Sequence, residues 1–172
     1  MPNAADGRRD SAFWQFSLAF YARPQVAAAC IELQDSAGID VNVMFYVLFL
    51  ATRLRQIDRA EAERIDAQVK AWRELAVIPL RALRRRLKTG IAPLPATDTD
   101  ALRSEVKRIE LETERIEQQF LERQMPADSL GSQAESAIAA ARSNLAAYGS
   151  LFGGLPEAPS AVLLAAYSQH VA

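Results

Sequence analysis

The chain is poor in the residues that most often carry chemistry. It has one cysteine, Cys30, and one histidine, His170, among 172 residues. A single cysteine excludes a disulfide within the chain and suits a reducing compartment. Nucleophilic catalysis needs a base within hydrogen-bond reach of the nucleophile and a third group that orients the base, and the sequence shows no such set. We therefore predict no catalytic and no cofactor-binding residues, which favours a non-enzyme.

A large net charge and long apolar runs are missing as well. The formal net charge is −1, so no overall field attracts nucleic acid or anionic lipid. The longest apolar run, residues 43–51, is about half of the ~20 residues that span a bilayer, so no membrane span is predicted. The first residues carry charges and no apolar signal-peptide core, so we expect a cytoplasmic protein.

Helical periodicity is what the sequence does contain. Apolar residues recur at steps of three and four nearly everywhere, and no alternating strand pattern of useful length is present. We predict an all-α fold, a single-domain bundle of six or seven helices. Residues 1–9 are expected to form a flexible tail and residues 10–172 one domain. That domain would comprise a three-helix core (10–56), a long antiparallel helical hairpin (58–124) and a C-terminal helix pair (133–171).

The stretch LQDSAGIDVNVMFYVLFLA is predicted to be a corner between two buried helices. Gly38 suits the position after a helix, where a left-handed backbone costs glycine nothing. Asp40 suits the N-cap of the next helix. The stretch lacks the ligand spacing of a calcium loop and the glycines of a phosphate loop. The alternative interpretation is a polar pocket lined by Gln34, Asp35 and Asn42.

The hairpin is predicted from two apolar stripes with three–four spacing. The first runs through Ala62, Ile65, Val69, Trp72, Ala76, Pro79 and Leu83, and the second through Leu102, Val106, Ile109, Thr113, Ile116 and Phe120. Pro79 should bend the first helix because it removes a backbone donor. Earlier in the chain, Pro24 suits the first turn of the second helix.

Two carboxylate pairs on the hairpin give one functional alternative. They are Glu63 and Asp66 in the first long helix and Glu114 and Glu117 in the second. Pairs three residues apart share a helix face, and facing pairs could hold Mg²⁺ for a nucleotide or phosphate hydrolase. However, Ile65 and Ile116 are predicted to point inward, so we expect their acidic neighbours to face solvent.

A basic run at the end of the first long helix gives a second alternative. Its members are Arg81, Arg84, Arg85, Arg86 and Lys88. Cations at a helix C-terminus complement the helix dipole, but five in eight residues exceed that need and could bind phosphate, nucleic acid or an acidic partner. No aromatic residues are interleaved for base stacking. The acidic helix that follows could instead neutralise the run.

The first half of the chain resembles a family of small proteobacterial proteins of unknown function. The pattern is an aromatic-rich first helix, then "LQD", a glycine and "DVN" before an apolar helix, and later a tryptophan with "PLR…RR.LK". It covers about residues 11–90. The resemblance implies an all-helical cytoplasmic protein and supplies no activity, cofactor or site residue. The chain has Phe49 and Leu50 where the family pattern leads us to expect a tryptophan.

These observations favour a non-enzymatic cytoplasmic interaction or regulatory protein. We expect its partner to be another protein, with a homo-oligomer as a further option. The Mg²⁺-dependent hydrolase and the nucleic-acid-binding protein remain the alternatives at this point.

Overall fold

The structure, a computed structural model, describes residues 11–90 and 92–171. Its α-helices are α1 Ala12–Tyr21, α2 Val26–Ala37, α3 Val41–Thr52, α4 Arg59–Trp72, α5 Ile78–Leu87, α6 Ala96–Gln124, α7 Ala137–Gly149 and α8 Glu157–Val171. A π-helical segment, Arg73–Val77, joins α4 to α5 without a break. With residues 59–87 counted as one helix, the described chain has seven helices. The predicted all-α class is confirmed.

Two very short strands are the part of this architecture that the sequence did not indicate. β1 (Arg55–Gln56) and β2 (Ser132–Gln133) pair antiparallel, with Arg55 opposite Gln133. Short 3₁₀ turns also occur at Ala127–Ser129 and Ser150–Phe152. Two residues are too few for an alternating pattern, so only the tertiary structure could reveal the strands.

The chain divides into two compact units. The hairpin unit is Gln68–Glu117, and the core unit is the described part of the remainder. In the core unit, α3 packs against α7 and α1, while α8 packs against α2 and α7. Every side chain of α3 from Asn42 to Ala51 is buried, as its uninterrupted apolar run predicts. Each large apolar side chain buried there contributes roughly 1.5–3 kcal/mol.

The start of α1 is fixed by polar groups of the core unit. Ser11 is the N-cap, and its hydroxyl accepts a hydrogen bond from Trp14 N–H at 3.1 Å. The Glu122 carboxylate accepts from Phe13 N–H at 3.2 Å and also from the Ser11 hydroxyl. A carboxylate at this end complements the helix dipole. Phe13 then packs edge-on against Tyr46, with ring centroids 4.9 Å apart.

Of the two prolines with predicted roles, one lies inside a helix and the other lies before one. Pro79 lies in the first turn of α5, directly after the π-helical segment, so the extra residue of the π turn accommodates the break in backbone hydrogen bonding. The prediction for Pro24 was wrong. It lies in the turn before α2, which begins at Val26 after Gln25 adopts a left-handed backbone with φ 66°.

Candidate functional site

The corner between α2 and α3 is built from caps. Gly38 ends α2 with φ 70°, and its N–H donates to the Gln34 carbonyl at 3.1 Å. The Asp40 carboxylate accepts from Asn42 N–H at 2.8 Å at the start of α3. The Tyr148 hydroxyl of α7 accepts from Asp40 N–H at 3.0 Å. These bonds satisfy a carbonyl at the end of α2 and backbone N–H groups at the start of α3, which helix ends leave open.

A buried amide pair lies beside this corner. Asn42 Oδ1 accepts from Gln118 Nε2 at 2.8 Å, and both side chains are buried. Asn42 therefore links the first turn of α3 to the later part of α6. This contact lies within the core unit.

The four candidate metal carboxylates lie in unlike surroundings. Glu63 is exposed. Asp66 accepts from the Tyr148 hydroxyl at 3.4 Å. Glu114 pairs with Arg81 at 3.2 Å. Glu117 is buried, so the prediction that it faces solvent was wrong. Within residues 11–90 and 92–171, no group of three or more His, Cys, Asp or Glu side chains could hold a metal ion.

The basic run divides into an inward and an outward part. Arg81 and Arg84 both pair with the buried Glu110 carboxylate of α6, through Arg84 Nη2 at 3.1 Å and Arg81 Nε at 3.5 Å. Arg81 also pairs with Glu114 at 3.2 Å. The helix after the run thus neutralises two of its five charges. The other members, Arg85, Arg86 and Lys88, are exposed around the end of α5.

Cys30 and His170 lie in different surroundings. Cys30 is buried, and burial raises the pKa of its thiol to about 12, which keeps the thiol protonated. His170 Nδ1 accepts from Arg23 Nε at 3.2 Å. Burial and then the Arg23 charge lower the pKa of His170. The neutral form of the His170 imidazole is therefore favoured, and it accepts a hydrogen bond from the Arg23 guanidinium.

Exposed apolar side chains are concentrated on the hairpin unit. Among the described residues, thirteen large apolar side chains are exposed, and eight of them lie in Gln68–Glu117. These eight are Leu75, Ile78, Leu83, Leu94, Leu102, Ile109, Leu111 and Ile116. We call them the apolar hairpin surface. Single exposed apolar residues are normal, whereas exposed apolar residues that adjoin one another mark interaction sites.

Three of the four α6 members of this surface form a row with seven-residue spacing. Leu102, Ile109 and Ile116 are 52%, 42% and 37% exposed. Residues seven apart on an α-helix return to within about 20° of one line. The prediction that Ile116 points inward was therefore wrong, whereas Ile65 is fully buried as predicted. The buried row of α6 lies one step round the helix, at Val106, Glu110, Thr113 and Glu117.

The fold and this surface define an all-α protein with a buried central helix and a helical hairpin unit. A family model described as "Protein of unknown function (DUF2390)" matches residues 12–121. The chain belongs to that family, and the predicted membership of a family of unknown function is confirmed. Comparisons with curated proteins and with solved structures gave no match.

No helix in the described part of the chain is long and apolar enough to cross a membrane. The apolar α3, for example, has 12 residues.

Proposed function

We propose that this protein is a non-enzymatic cytoplasmic interaction or regulatory protein that binds a protein partner through its hairpin unit. The apolar hairpin surface carries this proposal, because it holds eight of the thirteen exposed large apolar side chains of the described residues. Fully burying one exposed Leu or Ile is worth about 1.5–3 kcal/mol. These side chains are already partly covered, so each has part of that energy to contribute to binding.

The charges around this surface support a protein partner over nucleic acid. Arg81 and Arg84 direct their guanidinium groups to Glu110 and Glu114. Nucleic-acid binding depends on cations that neutralise phosphates, and two of the five candidate cations are already paired with carboxylates. The hydrolase alternative has no support either, because Glu63, Asp66, Glu114 and Glu117 belong to no metal-binding group of the described residues.

Site-specific photocrosslinking in cells tests this proposal. A benzoylphenylalanine residue would replace Leu75 or Leu83 of the hairpin unit, one chain variant at a time. The matched controls carry the same probe at Ile31 or Ile138, which are exposed apolar positions of the core unit. We expect reproducible adducts with one identified protein from the hairpin positions and none from the controls.

A second arm tests whether the surface provides binding energy. Leu75→Ser and Leu83→Ser should each weaken binding of the crosslinked partner by about tenfold, while Ile31→Ser should leave it unchanged. Adducts that form equally at all four positions would contradict the proposal. So would Kd values that the hairpin substitutions do not change.

A further inference from the structure

We infer that the α6 row of Leu102, Ile109 and Ile116 binds the same row of a second copy of this chain, with the two helices antiparallel. The inference rests on the proposed interaction function and names one partner for part of that surface. The exposed row has the seven-residue spacing by which paired helices keep one face in contact. It spans the middle of the 29-residue helix α6.

Charged residues along one edge of this row fit a second copy. In chain order they are Glu105, Arg108, Glu112 and Arg115, so that acidic and basic residues alternate. With about 3.6 residues per turn, all four lie to the same side of the apolar row. Within one chain, Arg108 pairs with Glu105 at 3.1 Å and Arg115 pairs with Glu112 at 2.5 Å.

An antiparallel pair brings opposite charges of this edge together. A two-fold axis at the level of residue 110 places the same edge of both helices on one side of the interface. Arg108 of each copy then lies level, along the helix axis, with Glu112 of the other copy, and Glu105 lies level with Arg115. Arg108 and Glu112 side chains are 70% and 48% exposed. The edge is therefore self-complementary, as a two-fold interface requires.

A parallel pair does not fit the same surface. It would place this charged edge against the opposite edge of the α6 row in the second copy. That opposite edge consists of Val106, Glu110, Thr113 and Glu117, which are buried within each chain. Only the antiparallel arrangement uses side chains that are accessible in both copies.

Charge-reversal variants of the full chain test the inference. The molar mass would be measured by light scattering after size exclusion, at about 100 µM protein and low salt. We expect the wild type to approach twice the 18.9 kDa mass of one chain. Arg108→Glu and Glu112→Arg should each weaken self-association by at least about tenfold, because like charges then meet twice in every dimer.

The decisive sample is a mixture of the two single variants. An Arg108→Glu chain is acidic at both central positions and a Glu112→Arg chain is basic at both, so mixed dimers should form where each variant alone stays monomeric. The matched control is Lys107→Glu, the same charge change at an exposed position of α6 away from the row. It should dimerise like the wild type. Circular dichroism would verify that every variant keeps its helix content.

Cysteine crosslinking tests the orientation of the helices. In an antiparallel pair, residue 102 of one copy lies near residue 116 of the other. A mixture of Leu102→Cys and Ile116→Cys chains should therefore form disulfide-linked dimers, while Leu102→Cys alone should not. Efficient crosslinking of Leu102→Cys to itself would overturn the antiparallel arrangement.

Failure of this inference is separable from failure of the proposed function. A wild type that is monomeric at the highest concentration would overturn the proposed pairing of α6. A dimer whose stability neither charge reversal changes would also overturn it. A mixture that fails to dimerise would do the same. The proposed partner surface would still be tested by the crosslinks from Leu75 and Leu83, which lie outside the α6 row.

Discussion

Asn144 joins three segments of the core unit, and replacing it tests how this fold is held together. Its Oδ1 accepts from Ile57 N–H at 2.8 Å, and its Nδ2 donates to the Val47 and Arg55 carbonyls, each at 2.9 Å. The side chain is fully buried. Asn144 of α7 therefore joins α3, the strand β1 and the residue after that strand by three buried hydrogen bonds.

The cost of Asn144→Ala follows from these bonds. Each hydrogen bond contributes about 0.5–1.5 kcal/mol net, and a buried donor left without its acceptor costs about 1–3 kcal/mol. Ile57 N–H loses its side-chain acceptor, whereas the Val47 carbonyl lies inside α3 and keeps its helical partner. We expect the free energy of unfolding to fall by about 3–5 kcal/mol. That is a large share of the ~5–15 kcal/mol of an ordinary domain.

Asn144→Asp separates hydrogen bonding from packing, because the two side chains have nearly the same shape. The aspartate still accepts from Ile57 N–H, but its second oxygen would face the Val47 and Arg55 carbonyls without a proton to donate. The loss of stability should be large near neutral pH and smaller near about pH 4, where the protonated acid donates to one carbonyl.

Urea unfolding followed by circular dichroism measures both variants, with Arg142→Ala on the exposed face of α7 as the control. The control should change the free energy of unfolding by less than about 0.5 kcal/mol. An Asn144→Ala value within about 1 kcal/mol of the wild type would refute the reasoning. An Asp variant whose deficit does not depend on pH would refute the assigned donor roles.

Three further predictions concern single side chains. Gly131→Ala should lower the free energy of unfolding in urea by about 3 kcal/mol, since φ is +61° and an added Cβ would lie 2.2 Å from a β1 carbonyl oxygen. Gly38 has φ +70° but no atom near an added Cβ, so Gly38→Ala should lower the free energy of unfolding by only about 1 kcal/mol. Equal losses for the two glycine variants would contradict the clash at Gly131. The lowered pKa of His170 means that the folded state binds fewer protons than the unfolded chain, so stability should fall as pH drops below about 6.5. Thermal melts of His170→Gln should show a weaker fall, and an unchanged pH dependence would refute this role. Glu110→Gln should cost about 3 kcal/mol in thermal melts because two guanidinium groups lose a buried carboxylate, whereas the exposed Glu74→Gln should cost under about 1 kcal/mol.

Local chemistry was enough to predict the corner between α2 and α3. A glycine before an aspartate and an apolar run specifies a helix end and a helix start, and the caps at Gly38 and Asp40 form from residues close in sequence. The same holds for α3, whose side chains are apolar on every face and so are buried wherever the helix packs.

The hydrogen bonds of Asn144 were not predicted, although the sequence contained a signal for them. Asn144 lies on the same stripe of α7 as Ala140, Ala141 and Tyr148, all of which are buried. A polar residue on an otherwise apolar stripe implies buried hydrogen-bond partners. Those partners, on α3 and β1, are about 90 residues away in the chain, so nothing local could name them.

The sequence by itself determined the helices of this protein, its central buried helix and the capped corner, because period, propensity and caps act over a few neighbouring residues. The tertiary structure alone decided which row of α6 is covered. Two adjacent rows compete, one with Ile109 and Ile116 and one with Glu110 and Glu117, and hydrophobicity favours covering the first. Arg81 and Arg84 on α5 pair with Glu110 in the buried row, while the apolar row is exposed. The covered face of α6 thus carries ion pairs, and the face proposed for binding carries apolar side chains.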